Sequence, residues 1–231
     1  MKRILLKISG EMLSTSGTSV QTEALENVYS ELKTGIESGI EIGIVLGGGN
    51  FWRGRDNENL QLFRGKSDQV GMLATIMNAL IFSAFLEKQG VKTAVFSSRS
   101  MPSFCDEFSF DRAEKAFEEG RICFFCGGTG NPYFTTDSAS ALKAIETKCD
   151  LYAKATTVDG VYDSDPRKNP DAKKYSEISF DEVIQKNLQV MDTAAFALCR
   201  ENSLPVIVFD GATKGNIAKI IAGEKIGTLV Q

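Results

Sequence analysis

The chain has 231 residues, 42% of them apolar and 24% charged, enough for a substantial core and too apolar for a disordered or fibrous chain. Thirty acidic against 26 basic residues give a net charge of −4 without a basic cluster, which argues against a nucleic-acid binder, and no apolar run approaches the ~20 residues of a membrane span. There is no histidine, so Ser-His-Asp and Cys-His nucleophile systems and all histidine-bearing zinc sites are excluded.

In chain order, the N-terminus MKRILLKISGE is basic then apolar, but the apolar run is too short for a signal peptide and Lys7 breaks it; a cytoplasmic protein is expected. Short apolar runs predict strands at Ile4–Ile8, Ile42–Leu46, Lys92–Phe96, Ile122–Phe125, Leu151–Ala155, Val206–Phe209 and Ile226–Val230. Helical patterns lie between them, near Gln21–Ser38, Ser67–Gln89, Asp111–Glu119, Thr136–Thr147, Phe180–Lys186, Asp192–Glu201 and Gly215–Ala222. This alternation predicts an α/β fold, a mainly parallel sheet with helices on both faces. No repeat or Pro/Ser linker divides the chain, so residues 1–231 read as a single domain; Asp163–Lys174 is the one long polar loop. The five cysteines read as reduced, mostly buried thiols. Cys123 and Cys126 form a C-x-x-C inside a strand, where alternation points them to opposite faces, so neither a zinc nor a redox pair is expected.

Four predicted strands run into glycine loops: Ser9-Gly10-Glu11, Gly47-Gly48-Gly49-Asn50, Gly127-Gly128-Thr129-Gly130-Asn131 and Asp210-Gly211 through Asn216. In open parallel sheets ligands bind beyond the carboxyl ends of the strands, and glycine there lets backbone N–H groups approach an anion closely. Four such loops offer more anion-binding surface than one phosphate needs. The standard phosphate loops are missing: Gly65-Lys66-Ser67 has Leu60 where the first glycine of a Walker motif belongs, and there is no G-x-G-x-x-G. Charged residues accompany the loops. Lys7 lies in an otherwise apolar strand, where it either snorkels to the strand end or meets a ligand; Lys154 poses the same choice in a later strand. Arg53 is three residues past Asn50, as a ligand or a solvated loop residue. Asp68 and Asp137 stand at predicted helix starts, as helix-end residues or as ligands.

Taken together, LKISGE (6–11), GGGNFWRG (47–54), DQVGMLATIMNAL (68–80), GGTGNPYFTTDSASALKAIE (127–146), KATTVDGVYDSDP (154–166) and MDTAAFALCRENSLPVIVFD (191–210) resemble the amino acid kinase family. G-M-L-A-T-x-M-N and T-G-N-P-Y-F-T-T-D resemble its bacterial UMP kinase branch. The resemblance implies a three-layer αβα sandwich, with a UMP-side lobe mostly N-terminal and an ATP-side lobe mostly C-terminal, and transfer of a phosphoryl group from ATP to UMP with Mg²⁺ carried on the ATP. By motif position it puts Lys7, Ser9, Gly10, Gly49, Arg53, Thr156, Tyr162 and Asp165 on ATP. It puts Gly48, Asp68 and the run Thr129, Gly130, Asn131, Pro132, Tyr133, Phe134, Thr135 and Thr136 on UMP. Lys7, Arg53 and Asp137 take the catalytic roles, Asp137 by orienting lysines, and no residue is assigned as a metal ligand. A homohexamer, a GTP activator and a UTP inhibitor are implied as partners. Departures from the pattern are Phe51-Trp52 and Cys126 before the glycines. The competing readings are a sister kinase acting on a small carboxylate or carbamate and a non-catalytic nucleotide sensor on the same fold.

Overall fold

The structure, a computed structural model, describes residues 1–14, 20–52, 60–166, 168–188 and 190–231. Its strands are β1 (Arg3–Ile8), β2 (Glu41–Leu46), β3 (Thr93–Ser97), β4 (Asp106–Glu107), β5 (Ile122–Cys126), β6 (Leu151–Thr156), β7 (Glu177–Ile178), β8 (Val206–Asp210) and β9 (Thr228–Val230). Its helices are α1 (Thr22–Glu37), α2 (Arg64–Lys88), α3 (Phe110–Glu118), α4 (Thr136–Glu146), α5 (Phe180–Gln185), α6 (Thr193–Glu201) and α7 (Asn216–Ile221), with a 3-10 turn at Gly10–Leu13.

Among the described residues the strands form one nine-stranded sheet, ordered β4-β3-β5-β2-β1-β6-β8-β9-β7. Strand pairs are parallel except β8 with β9, so the carboxyl ends of β5, β2, β1, β6 and β8 share one edge. Alternation along each strand sorts the core into two layers. Ile4, Leu6 and Ile8 of β1 pack with Leu32 of α1, Phe82 of α2 and Ile220 of α7. Leu5, one residue out of phase, packs with Phe117 of α3, Ala141 of α4, Val183 of α5 and Phe196 of α6. The three-layer αβα sandwich follows.

Local signals set the helix starts: Ser109, Thr135, Ser179 and Asp192 each accept a backbone N–H of the first turn, satisfying donors that the helix itself leaves unpaired. Several boundaries differ from the sequence expectation. Helix α2 begins at Arg64, three residues before the expected Ser67, so Asp68 lies one turn inside the helix rather than at its start. The last strand begins at Thr228 because Gly227 has φ +80°, a left-handed conformation that ends the extended run. The two-residue strands β4 and β7 were not expected; so short a run carries no period. By length and composition α2 could cross a bilayer. Here Ile76, Ala79, Phe82 and Leu86 lie in the core beneath the sheet.

Candidate functional site

The alternation that sorts the core also places two charges. Lys7 of β1 and Lys154 of β6 are register partners on adjacent parallel strands, in phase with Leu5 and Tyr152 and therefore on the α4 side of the sheet. Two ammonium groups side by side repel unless a carboxylate stands between them. Asp137 supplies it, with Oδ1 3.2 Å from Lys7 Nζ and Oδ2 2.5 Å from Lys154 Nζ. Asp137 is available because it does not cap α4: Thr135 Oγ1 accepts the Asp137 and Ser138 amides instead. Lys154 also donates to the Val190 carbonyl, and the Tyr152 hydroxyl donates to Asp137 Oδ1 at 3.4 Å. Burial works against ionisation of Asp137, but the two ammonium groups outweigh it and hold the carboxyl below its ordinary range. Burial pulls Lys154 below the usual lysine range, Lys7 adds to that, and Asp137 offsets part of it. The cluster carries two cations and one anion at the strand ends, a net positive charge facing the loops.

Two glycine loops meet beside it. A Cβ on Gly10 would stand 2.5 Å from both Asn50 Oδ1 and the Gly47 carbonyl, and one on Gly48 would stand 2.8 Å from Ala74 Cβ. Glycine is required there for loop to close on loop. Asn50 and Asn78 exchange hydrogen bonds of 3.0 and 2.8 Å, and Asn78 Nδ2 also donates to the Gly47 carbonyl at 2.7 Å, so α2 braces the Gly47–Asn50 loop. Ser9 Oγ is buried at this junction with no hydrogen-bond partner among the described residues, a costly state unless a ligand completes it.

Asp68 faces the third glycine loop: its Oδ2 accepts the Tyr133 amide at 2.8 Å, and Arg64 lies 3.7 Å from that oxygen and over the Tyr133 ring at 4.9 Å. Tyr133 holds φ +71°, and Tyr133 and Phe134 are both exposed. Thr129 Oγ1 bridges within the loop to Asn131, and Gly130 is buried with φ +80°. Thr135 and Ser138 both donate to Asp192, the cap of α6, tying this loop to the other half of the sheet. On that half, Tyr162 and Asp165 line a cavity of about 400 Å³ with Val158, Lys168, Asn187 and Leu188. Thr156 is not among its lining residues; it ends β6, in register with Asp210. A second cavity, of about 440 Å³, runs from Asp137 along Met191 and Asp192 to Phe196. Arg53 lies outside the described residues.

The sequence model of the amino acid kinase family matches residues 2–210. The chain belongs to the amino acid kinase family. Within it, the chain is 46% identical over 232 residues to a uridylate kinase of Erythrobacter litoralis, covering 100% of this chain and 98% of that one. It is 47% identical over 231 residues to a uridylate kinase of Rickettsia felis, covering 100% and 96%. The crystal structure of a UMP kinase from Bacillus anthracis superposes with a TM-score of 0.96 at 36% identity, covering 100% of this chain and 96% of that one.

In this kinase fold the two departures from the family's pattern have ordinary packing roles. Trp52 donates from Nε1 to Ser67 Oγ at 2.9 Å, and Cys126 is buried with its thiol 3.4 Å from the Phe96 carbonyl. Cys123 and Cys126 fall in opposite core layers, and among the described residues no group of three or more carboxylates or thiols converges as a metal cage. Sequence reasoning left Lys154 undecided and passed over Asn78. The signal for Lys154 was a second lysine in a buried strand, but its pairing with Lys7 depends on a register that no sequence pattern states.

Proposed function

We propose that the protein transfers the γ-phosphoryl group of ATP to UMP, giving ADP and UDP for pyrimidine nucleotide synthesis. The observation that carries this reading is the Lys7–Asp137–Lys154 cluster at the strand ends, between two glycine loops. A phosphate monoester with a second pKa of ~6 is already largely dianionic at neutral pH, so UMP needs no general base, in keeping with a chain that has no histidine. The obstacle is bringing two polyanions into line. Lys7 and Lys154 offset the charge that spreads over the transferring phosphoryl oxygens, Asp137 keeps both ammonium groups aimed, and Ser9 Oγ and the amides around Gly10 and Gly49 hold the ATP phosphates. Arg53 adds a further cation from the loop after Asn50.

On the acceptor side, Gly48, Asp68 and the Thr129–Thr136 run hold UMP. On the donor side, Thr156 at the end of β6 and the Tyr162–Asp165 cavity take adenine and ribose. Mg²⁺ would be carried on the ATP, where it would neutralise phosphate charge; among the described residues no group of three or more carboxylates converges as a cage, which suits an ion that keeps its waters. The chain acts as one domain, acceptor lobe mostly N-terminal and ATP lobe mostly C-terminal, in the cytoplasm. Its assembly is a homohexamer, activated by GTP and inhibited by UTP; the solvent-facing row Val70, Leu73, Met77 and Ile81 on α2 supplies an apolar face for self-association.

The test is ADP release from Mg-ATP with UMP, CMP, dUMP, glutamate, acetylglutamate and carbamate as separate acceptors, with and without GTP. Turnover with UMP far above the others is expected. Turnover with a small acid, or with none of them, refutes the reading.

A further inference from the structure

The Thr129–Thr136 run is held by a neighbour that plays no part in the scheme above. Leaving β3, the segment Ser97-Ser98-Arg99 runs along the glycine loop and takes its carbonyls one after another. Ser98 N donates to the Cys126 carbonyl at 3.0 Å, Ser98 Oγ to Gly128 at 2.7 Å, and Arg99 Nε to Gly130 at 2.7 Å. A second guanidinium nitrogen of Arg99 lies 3.4 Å from Asn131 Oδ1. The carbonyls of alternate residues 126, 128 and 130 are thus committed to one side. The glycines make room for this strap: a Cβ on Gly127 would stand 2.9 Å from Ser97 Oγ, and one on Gly130 would stand 3.0 Å from the Ser98 carbonyl and 3.3 Å from Arg99 Nε.

The loop's amides divide differently. Gly127 N–H goes to Thr75 Oγ1, Gly130 N–H to the Gly127 carbonyl, Asn131 N–H to Thr129 Oγ1 and Tyr133 N–H to Asp68. The amides of Gly128 and Thr129 have no acceptor among the described residues. They are consecutive, and they follow φ values of +76° and +60° at Gly127 and Gly128, so two neighbouring donors remain for a ligand. Their aim depends on how firmly the residues after them are held, and that task falls to Arg99, which is itself exposed.

We propose that Arg99 is a positioning residue for the acceptor nucleotide: by holding Gly130 and Asn131 it keeps the Gly128 and Thr129 amides aimed at UMP. The inference rests on the acceptor reading given above. A planar guanidinium that makes two contacts is not replaced by a point charge, so lysine should restore only part of the effect. The experiment compares wild type, Arg99→Ala and Arg99→Lys in steady-state kinetics with each substrate varied, together with melting temperature and amide hydrogen exchange of residues 127–131. Expected for Arg99→Ala is a KM for UMP raised about tenfold, near the loss of one charged hydrogen bond. The KM for Mg-ATP and the kcat at saturating UMP should stay within twofold, and exchange of the Gly130 amide should quicken. Arg99→Lys should fall between the two. An unchanged KM for UMP in an active enzyme overturns the proposal. So does an equal loss for both substrates with a lowered melting temperature, which would make Arg99 a fold residue. Wild-type enzyme that phosphorylates no UMP overturns the acceptor reading itself, and the role of Arg99 with it.

Discussion

Asp137→Asn tests the central cluster most directly. The substitution keeps the shape of the side chain and removes the negative charge between Lys7 and Lys154, which sit on opposite oxygens of one carboxylate. Taking a separation of ~6 Å for two ammonium groups with nothing between them, their repulsion at an effective dielectric of ~20 is about 3 kcal/mol. Burial already disfavours the charge on Lys154, so this lysine yields first, by losing its proton or turning aside. On the proposed scheme, either way one cation is lost from the transferring phosphoryl group. At 1.36 kcal/mol per decade, 3 kcal/mol corresponds to a fall in kcat of about 10²-fold. The assay is ADP release at saturating Mg-ATP and UMP across pH. Besides the lower plateau, the alkaline limb of the profile should move to lower pH, because a lysine without its carboxylate gives up its proton more readily. A kcat within threefold of wild type, with an unmoved alkaline limb, would refute the charge-balance argument.

Three further outcomes follow from the geometry. The Asp137 carboxyl is held below its ordinary value, so its contribution to stability is complete above about pH 4 and drains away as pH falls through the depressed folded value; the melting-temperature gap between wild type and Asp137→Asn should narrow as pH falls below about 4. Thr135→Ala removes the hydroxyl that accepts two amides at the start of α4, which costs about 1 kcal/mol, or about 2–4 °C in melting temperature by calorimetry; an unchanged midpoint would mean the cap is dispensable. Among the thiols, hydrogen bonding from Cys126, helped by Ser97, holds the half-buried Cys105 at about 7, whereas burial pushes Cys123, Cys149 and Cys199 up to about 12. Iodoacetamide should therefore label Cys105 first, at a rate rising through pH 7 in wild type and shifted upward in Cys126→Ala, as read by peptide mass spectrometry; prior labelling of any other cysteine contradicts this.

Much of the architecture was legible in the sequence because the repeating unit is short and strongly patterned. An apolar run, a glycine turn and a capped helix recur, and each of the seven expected strands is present within a few residues of its place. Edges were less legible. Strands β4 and β7 have two residues each and no alternation to read, and α2 gains its first turn ahead of Ser67 although Phe63 offers no side-chain cap. At the candidate site, Lys7 stood out as a charge in an apolar strand. Asp137 could equally have been a cap, and only the observed cap at Thr135 shows its carboxylate turned toward the sheet. Lys154 and Arg99 were beyond reach for a different reason. Each acts through a partner far along the chain, Lys7 across a strand pairing and Gly130 across a loop contact, and such pairings are tertiary facts.

The pairing of Lys7 with Lys154 also bears on how the chain finds its fold. A slip of one residue between β1 and β6 would part the lysines, and turning β6 over by that one step would send Lys154 into the layer built from Leu32, Phe82 and Ile220. An ammonium group buried there without a carboxylate is penalised by several kcal/mol, a large part of the net stability of an ordinary domain. Misaligned sheets are thereby rejected by the charges of the Lys7–Asp137–Lys154 cluster. Lys154 thus serves as a proofreader of strand alignment.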